Sequence, residues 1–111
     1  LWQEAVMLGI ASADSLSGAP IAEYLPQRLA NGPLAILGDA AHVLSPMTGR
    51  GFLTAVEDAE LLAQLLADKA PDEPISAVFA RYEATRMPFI RGLVTHSMRL
   101  SAEYRHIASR A

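Results

Sequence analysis

Residues 38–59, GDAAHVLSPMTGRGFLTAVEDA, are the segment from which the organisation of the chain can be predicted. The segment holds three of the seven glycines, and an Asp and a His stand in an otherwise apolar run near its start. The apolar run 33–37 comes before it and predicts a buried strand that ends at a glycine. A helical pattern covers residues 52–68, and residues 46–51 form a glycine-rich loop between the two. Open α/β sheets build ligand sites where a strand feeds a helix through such a loop.

The helix predicted at 52–68 carries one narrow polar stripe, and nearly all of its other positions are apolar. A helix of this kind is expected to be buried on most sides. Asp58 lies about 100° away from the stripe. We therefore expect Asp58 to be paired near the start of the helix or to face a polar ligand, unless it only complements the helix dipole. The stripe consists of Glu57, Glu60, Gln64 and Asp68.

Composition indicates one small globular domain. The 111 residues are 51% hydrophobic and 19% charged, which is neither a disordered nor a membrane-spanning composition. No apolar run approaches the ~20 residues of a transmembrane helix, and no signal-peptide pattern is present, so we expect a cytoplasmic protein. The absence of cysteine excludes disulfides and thiolate metal sites.

Residues 81–111 have a net charge of +4 and residues 1–80 a net charge of −7. Because the arginines are spread singly along a helical pattern, we expect a solvated face or intramolecular ion pairs rather than a nucleic-acid site.

Three blocks of the sequence resemble the second flavin-binding motif of the FAD-dependent aromatic hydroxylases and epoxidases, the para-hydroxybenzoate hydroxylase-like monooxygenases. They are the Gly-Asp-Ala-Ala-His block at 38–42, the Pro-x-x-Gly-x-Gly block at 46–51 and the Ala-x-Glu-Asp-Ala block at 55–59. Their order, spacing and strand-loop-helix context all match. Many members have Asn where this chain has Leu53, which indicates a particular branch of the family.

The resemblance implies an FAD site with NAD(P)H as co-substrate. In it, the Asp39 carboxylate hydrogen-bonds the ribityl chain. The loop lies along the flavin ring, and Pro46, whose backbone is near the ring, is the candidate catalytic residue. The helix N-terminus directs its free N–H groups at the flavin N1–C2=O edge, where reduced flavin carries negative charge. The predicted cofactor-binding residues are Gly38, Asp39, Pro46, Gly49, Arg50, Gly51, Phe52 and Leu53.

The implied reaction is NAD(P)H-dependent hydroxylation or epoxidation of an aromatic or other unsaturated small molecule through a flavin C4a-hydroperoxide. The implied fold is α/β, as a helix-rich C-terminal part of a two-domain FAD/NAD(P)-binding flavoprotein. The chain lacks the Gly-x-Gly-x-x-Gly motif that cradles the FAD pyrophosphate, so we expect the missing N-terminal portion of the same protein to supply it. We expect the isolated chain to be inactive.

The remaining elements follow from local patterns. Residues 2–13 predict an amphipathic helix, 12–20 a loop and 21–25 a short strand with Tyr24 as a core or substrate-side aromatic. Asp72 is a predicted N-cap for a helix at 74–87, which Pro88 kinks or breaks before a further helix from 89 to about 104. The predicted domain parts are 1–27 for the end of the substrate-binding domain, 28–70 for the FAD-binding domain and 71–111 for C-terminal helices packed on it.

Several alternatives stay open. Asp39 and His42 could belong to a metal or hydrolase site, but the other two histidines, His96 and His106, are distant and predicted to be exposed; no metal site is therefore predicted. Ser45 has no nucleophile elbow around it. Reductases and halogenases share similar motifs, although a halogenase needs a catalytic lysine placed away from the flavin, and Lys69 is the only lysine. The chain could also be a non-catalytic structural or interaction fragment.

Overall fold

A computed structural model describes residues 22–110 together with Glu4, Met7, Ser17 and Pro20. In these residues the order of elements is β1 (Ala30–Asn31), β2 (Leu34–Ala35), a 3-10 turn (Gly38–Ala40), a second 3-10 turn (Pro46–Thr48), α1 (Gly51–Ala67) and α2 (Ile75–Ala108). The result is a helix-rich fold with a small sheet. The predicted helix at 2–13 and loop at 12–20 lie outside the described residues except at these isolated positions, of which Glu4 and Met7 are helical.

β1 and β2 form an antiparallel hairpin in which Ala30 pairs with Ala35. Gly32 takes a φ of 58° in the two-residue turn, a conformation typical of tight hairpins. The prediction of a buried strand at 33–37 is wrong in its extent and burial, because only two residues pair and the Leu34 side chain is 70% exposed. The physical reason is that the described residues offer β2 one antiparallel neighbour, whereas burial on both faces requires a covered sheet.

The strand predicted at 21–25 is reduced to a single bridge between Tyr24 and Val43 in the described residues. Their backbones exchange two hydrogen bonds, with N···O distances of 3.0 and 3.2 Å. The Tyr24 side chain is 49% exposed, so it does not lie in the core of the described residues.

The α1 helix confirms the prediction of a helix at 52–68, and it begins at Gly51, one residue earlier than predicted. Burial on most sides is not observed, since only Thr54 and Asp58 are fully buried in it. One side of α1 packs against α2 and the first 3-10 turn, and the described residues do not cover its other apolar side. The apolar residues exposed there are Phe52, Leu53, Val56 and Leu66.

The α2 helix is continuous for 34 residues, so of the kink or break predicted at Pro88 the break is wrong. Proline removes one backbone donor, but Met87, Ile90 and Val94 on the two sides of it are buried in the same core, which favours a continuous helix. Asp72 is not the N-cap either. The capping position is Pro74, which cannot cap with a side-chain hydrogen bond.

The core lies where α2 crosses the hairpin and α1. Its buried members are Leu29, Ala41, Tyr82, Met87, Ile90 and Val94, with leucines 25, 37, 44, 61, 62 and 65 packed around them. Polar contacts add to this packing: the Tyr82 hydroxyl donates to the Ile36 carbonyl at 3.3 Å, and the Glu83 carboxylate accepts from the backbone N–H groups of Leu29 and Ala30. Through these contacts α2 fixes the segment that leads into residues 38–42.

Candidate functional site

The turn at residues 38–42 is closely packed and tied to the body of the protein at both ends. Gly38 has a φ of 59°, and a Cβ added to it would lie 3.3 Å from the Ala55 Cβ on α1. Its carbonyl accepts hydrogen bonds from the N–H groups of Ala41 and His42, at 2.8 and 2.9 Å. Gly38, Ala41 and His42 are buried, whereas Asp39 is exposed. The turn therefore presents one carboxylate to the outside from a buried frame.

Asp58 is the centre of a buried polar cluster behind this turn. Its side chain is fully buried, and one carboxylate oxygen, Oδ2, accepts from the Gly38 N–H at 3.0 Å and lies 2.7 Å from His42 Nε2. The other oxygen, Oδ1, accepts from Arg86 Nε at 2.6 Å. Of the possibilities left open by the sequence, pairing near the start of the helix is confirmed.

The electrostatics of the cluster favour an ionised Asp58. Burial by itself raises the pKa of this carboxyl group. The hydrogen bonds from His42, Gly38 and Arg86, together with the positive charge of Arg86, outweigh burial and hold the pKa of Asp58 below its ordinary value. An ionised carboxylate is an acceptor only, so the His42 Nε2 atom carries the shared proton.

Arg86 links Asp58 to the neighbouring turns of α1. Its Nη2 atom donates to the Thr54 carbonyl at 3.2 Å and to Glu57 at 3.1 Å, and its guanidinium lies 4.6 Å from the centre of the Phe89 ring. Burying a carboxylate is tolerated when a cation and hydrogen bonds compensate it. Arg86 thus neutralises Asp58 and holds α2 against the first half of α1.

The loop at 46–51 is anchored through Ser45, which is buried. The Ser45 N–H donates to the Ser97 hydroxyl of α2 at 2.8 Å, and the Ser45 carbonyl accepts from the N–H and hydroxyl of Thr48 at 3.0 and 2.9 Å. The Ser97 hydroxyl in turn donates to Glu23 at 3.3 Å. Gly49 closes the 3-10 turn with a φ of 61°. The loop is therefore fixed against α2, whereas the 38–42 turn is bonded to α1.

The N-terminus of α1 is open to the outside. Arg50 occupies the capping position without a side-chain capping bond, and the first intrahelical hydrogen bond runs from Thr54 N–H to the Arg50 carbonyl at 2.9 Å. The N–H groups of residues 51–53 precede this bond and have no partner within the helix. Phe52 is 84% and Leu53 50% exposed. A Cβ added at Gly49 or Gly51 would meet no atom within 4 Å.

The structure thus places Gly38 beside Ala55 in the N-terminal half of α1, and the 46–51 loop leads directly into the start of the same helix. Arg86 and Ser97 were not predicted as parts of the site, and in the sequence Arg86 is one of several spread arginines. Neither residue has a local signal, because each meets its partner across more than 25 positions of the chain.

Two buried polar atoms, His42 Nδ1 and Thr54 Oγ1, have no hydrogen-bond partner among the described residues. His42 pairs with Asp58 and not with Asp39. Within the described part of the chain, no group of three or more His, Asp or Glu side chains is placed to hold a metal ion. No helix there has the length and apolar character needed to span a membrane.

Comparison with known proteins gives a consistent result. A family model described as an FAD binding domain matches residues 5–97. The chain is 34% identical to 3-amino-4-hydroxybenzoate 2-monooxygenase of Streptomyces cremeus over 93% of its own length, and this match covers 26% of that enzyme. It is also 40% identical to FAD-dependent urate hydroxylase of Klebsiella oxytoca over 61% of the chain and 17% of the enzyme.

A third relative, aurachin C monooxygenase/isomerase of Stigmatella aurantiaca, is 41% identical over 62% of the chain and 17% of that enzyme. No solved structure gives a significant match. The chain spans about a quarter or less of the length of these curated relatives. It belongs to the FAD binding domain family, and its relatives are FAD-dependent monooxygenases and hydroxylases.

Proposed function

We propose that this chain is the C-terminal part of an FAD-dependent, NAD(P)H-using monooxygenase of two-domain architecture. The whole enzyme inserts one oxygen atom of O2 into an aromatic or other unsaturated small molecule. The observation that carries the proposal is the open N-terminus of α1 beside two glycines in a chain of the FAD binding domain family. The names of the relatives, which include a hydroxybenzoate and a urate enzyme, support a planar, unsaturated substrate.

The residues at this end of α1 fit the requirements of FAD. Reduced flavin is an anion, and the uncapped N–H groups of residues 51–53 are donors at the positive end of a 17-residue helix. Gly49 and Gly51 leave space for a flat ring to approach the backbone. Asp39, exposed on a buried turn, offers a carboxylate for two ribityl hydroxyl groups. Pro46 and Arg50 are exposed on the 46–51 loop, which lies between Asp39 and α1 in the sequence.

In this proposal bound FAD would supply the redox chemistry: it would accept an electron pair from NAD(P)H and use it to activate O2. The chain binds and orients the FAD: Asp39 holds the ribityl chain, the α1 N-terminus stabilises negative charge, and the rigid loop keeps the ring in place. Residues 1–27 would end the substrate-binding domain, 28–70 would belong to the FAD-binding domain and 71–111 would pack behind it. The pyrophosphate cradle would come from an N-terminal portion of the same protein.

Reductase or halogenase activity is the second candidate from the same superfamily. Lys69, the only lysine, donates to the backbone carbonyls of Ala70 and Pro71 just after α1, at 2.8 and 3.4 Å. These contacts engage its ammonium group with backbone carbonyls of the segment that follows α1. They favour the monooxygenase over a halogenase that depends on this lysine. Assays of full-length protein with chloride or bromide and with hydroxylatable aromatic acids would distinguish the two products.

The test of the proposal is FAD binding by the full-length protein and by its Asp39→Ala variant. We expect the variant to bind FAD at least tenfold more weakly, because it loses charge-assisted hydrogen bonds worth roughly 1.5–3 kcal/mol each. Asp72→Ala, at another exposed aspartate, is the matched control and should bind FAD normally. Unchanged affinity in Asp39→Ala would remove Asp39 from the site.

The 111-residue chain by itself provides a second test. It offers ribityl and ring contacts without the pyrophosphate motif, so we expect it not to retain FAD tightly on purification. A yellow monomer with stoichiometric FAD would contradict the proposed division of the site between two portions of the protein. Absence of flavin in the full-length protein as well would favour the alternative of a non-catalytic interaction protein.

A further inference from the structure

The direction of the Asp39 side chain depends on a turn whose two ends, at Gly38 and at residues 41–42, are buried and hydrogen-bonded. Gly38 is held at its N–H by Asp58 and at its carbonyl by the N–H groups of Ala41 and His42. Asp39 is the residue between these fixed points, and it is exposed. We therefore expect loss of the hydrogen bond at the Gly38 N–H to alter the backbone orientation from which the Asp39 side chain projects.

A single atom, Asp58 Oδ2, joins the two ends of this turn. It accepts from the Gly38 N–H at 3.0 Å and lies 2.7 Å from Nε2 of His42. Oδ1 is engaged separately by Arg86 at 2.6 Å, so the carboxylate plane is fixed from three directions. An Asn at position 58 would supply one acceptor oxygen and would place an NH2 group against either Arg86 or the two donors of the turn. Its geometry cannot satisfy all three partners.

We propose that Asp58 is a positioning residue for cofactor binding, which fixes the turn at 38–42 so that Asp39 meets FAD in one orientation. The inference rests on the proposed function of Asp39, and it assigns to the buried cluster a role in affinity in addition to its role in folding. Preorganised groups bind more tightly because less conformational freedom is lost on binding. Asp58 acts through Asp39 and does not itself contact the cofactor.

A double-mutant cycle in the full-length protein tests this dependence. FAD dissociation constants are measured by quenching of flavin fluorescence for wild type, Asp58→Asn, Asp39→Asn and the double variant, at a temperature where circular dichroism shows all four to be folded. We expect each single variant to bind FAD about tenfold more weakly. If Asp58 acts through Asp39, the double variant should be within about twofold of Asp39→Asn alone. Glu60→Gln, at an exposed acid on the same helix, should leave the affinity unchanged.

The outcomes separate the two proposals. If the two effects multiply in the double variant, Asp58 acts on affinity independently of Asp39, and the positioning role is wrong while the Asp39 site stands. If Asp39→Asn binds FAD as wild type does, the proposed site itself fails, and the positioning role fails with it. A merely structural Asp58 would lower the thermal midpoint without any coupling to Asp39.

A second pair of variants covers the case in which Asp58→Asn does not fold. In His42→Gln the amide nitrogen can replace Nε2 as a donor to Asp58, whereas in His42→Leu no donor remains. We expect His42→Gln to retain FAD affinity within about threefold and His42→Leu to lose tenfold or more, with that loss absent when His42→Leu is combined with Asp39→Asn. Equal affinities for the Gln and Leu variants, or a loss that persists in the Asp39→Asn background, would overturn the inference.

Discussion

Nε2 of His42 lies 2.7 Å from Oδ2 of Asp58, and both side chains are completely buried although sixteen positions separate them in the sequence. This contact joins the turn after the hairpin to the second turn of α1. It also explains how an Asp and a His can stand within apolar runs, because the contact gives each side chain a hydrogen-bond partner in the interior.

The first prediction concerns the effect of acidification on the stability of the fold. The pKa of Asp58 in the folded state lies below its ordinary value of about 3.8, so the ionised cluster stabilises the fold fully above that value. The contribution is lost as the pH falls through the lower, folded-state pKa. We expect the difference in thermal midpoint between wild type and Asp58→Asn apoprotein to be largest above about pH 5 and to shrink below about pH 4. A difference that grows on acidification would contradict the assignment of an ionised Asp58.

The second prediction concerns the stability of the Arg86→Met variant. The methionine keeps the apolar stem but removes the cation, which leaves Asp58 buried with His42 and Gly38 as its remaining partners. Breaking a buried ion pair from one side costs about 3–5 kcal/mol, and we expect unfolding to be easier by about 3 kcal/mol. Arg91→Met, at an exposed position of the same helix, should change stability by less than about 0.5 kcal/mol. Similar thermal midpoints for the two variants would show that the cluster is not a main determinant of stability.

Local patterns are sufficient to predict some elements of this chain but not the contacts between them. The loop at 46–51 and the start of α1 were predictable, because glycine, proline and helical periodicity act within a few residues. The partners of Asp58 were not, since Arg86 is one of six arginines in residues 81–111 and nothing local distinguishes it from the others. The break considered at Pro88 is absent for a related reason. The local effect of proline is to break a helix, but buried side chains on both sides of Pro88 favour a continuous helix.

The third prediction concerns the stability of the Gly38→Ala variant. The new Cβ would meet the Ala55 Cβ at 3.3 Å and would stand on a residue with a φ of 59°. Left-handed backbone costs a non-glycine residue roughly 1–2 kcal/mol, and the tight contact adds to this, so we expect a loss of about 2–3 kcal/mol in apoprotein stability. Gly49→Ala is matched to it, because its φ is 61° but no atom lies within 4 Å, and it should lose only the conformational part. Equal losses in thermal denaturation would show that contact with Ala55 contributes nothing.

Gly51→Val separates a role in cofactor binding from a role in folding. Gly51 is not among the described residues with positive φ, which are Gly32, Gly38 and Gly49. A side chain at Gly51 meets no atom within 4 Å, and valine in a helix is no worse than glycine. We therefore expect the apoprotein of Gly51→Val to be as stable as wild type.

The same variant should bind FAD at least tenfold more weakly, because a β-branched side chain would occupy the space that the flavin ring needs beside the α1 N-terminus. Ala63→Val, at an exposed position further along α1, makes the same kind of change away from the site and should leave FAD affinity unchanged. Thermal midpoints of the apoproteins and FAD titrations of the same full-length preparations provide both readings. A fall in apoprotein stability with unchanged FAD affinity would mean that Gly51 matters for the helix start alone and that the flavin lies elsewhere.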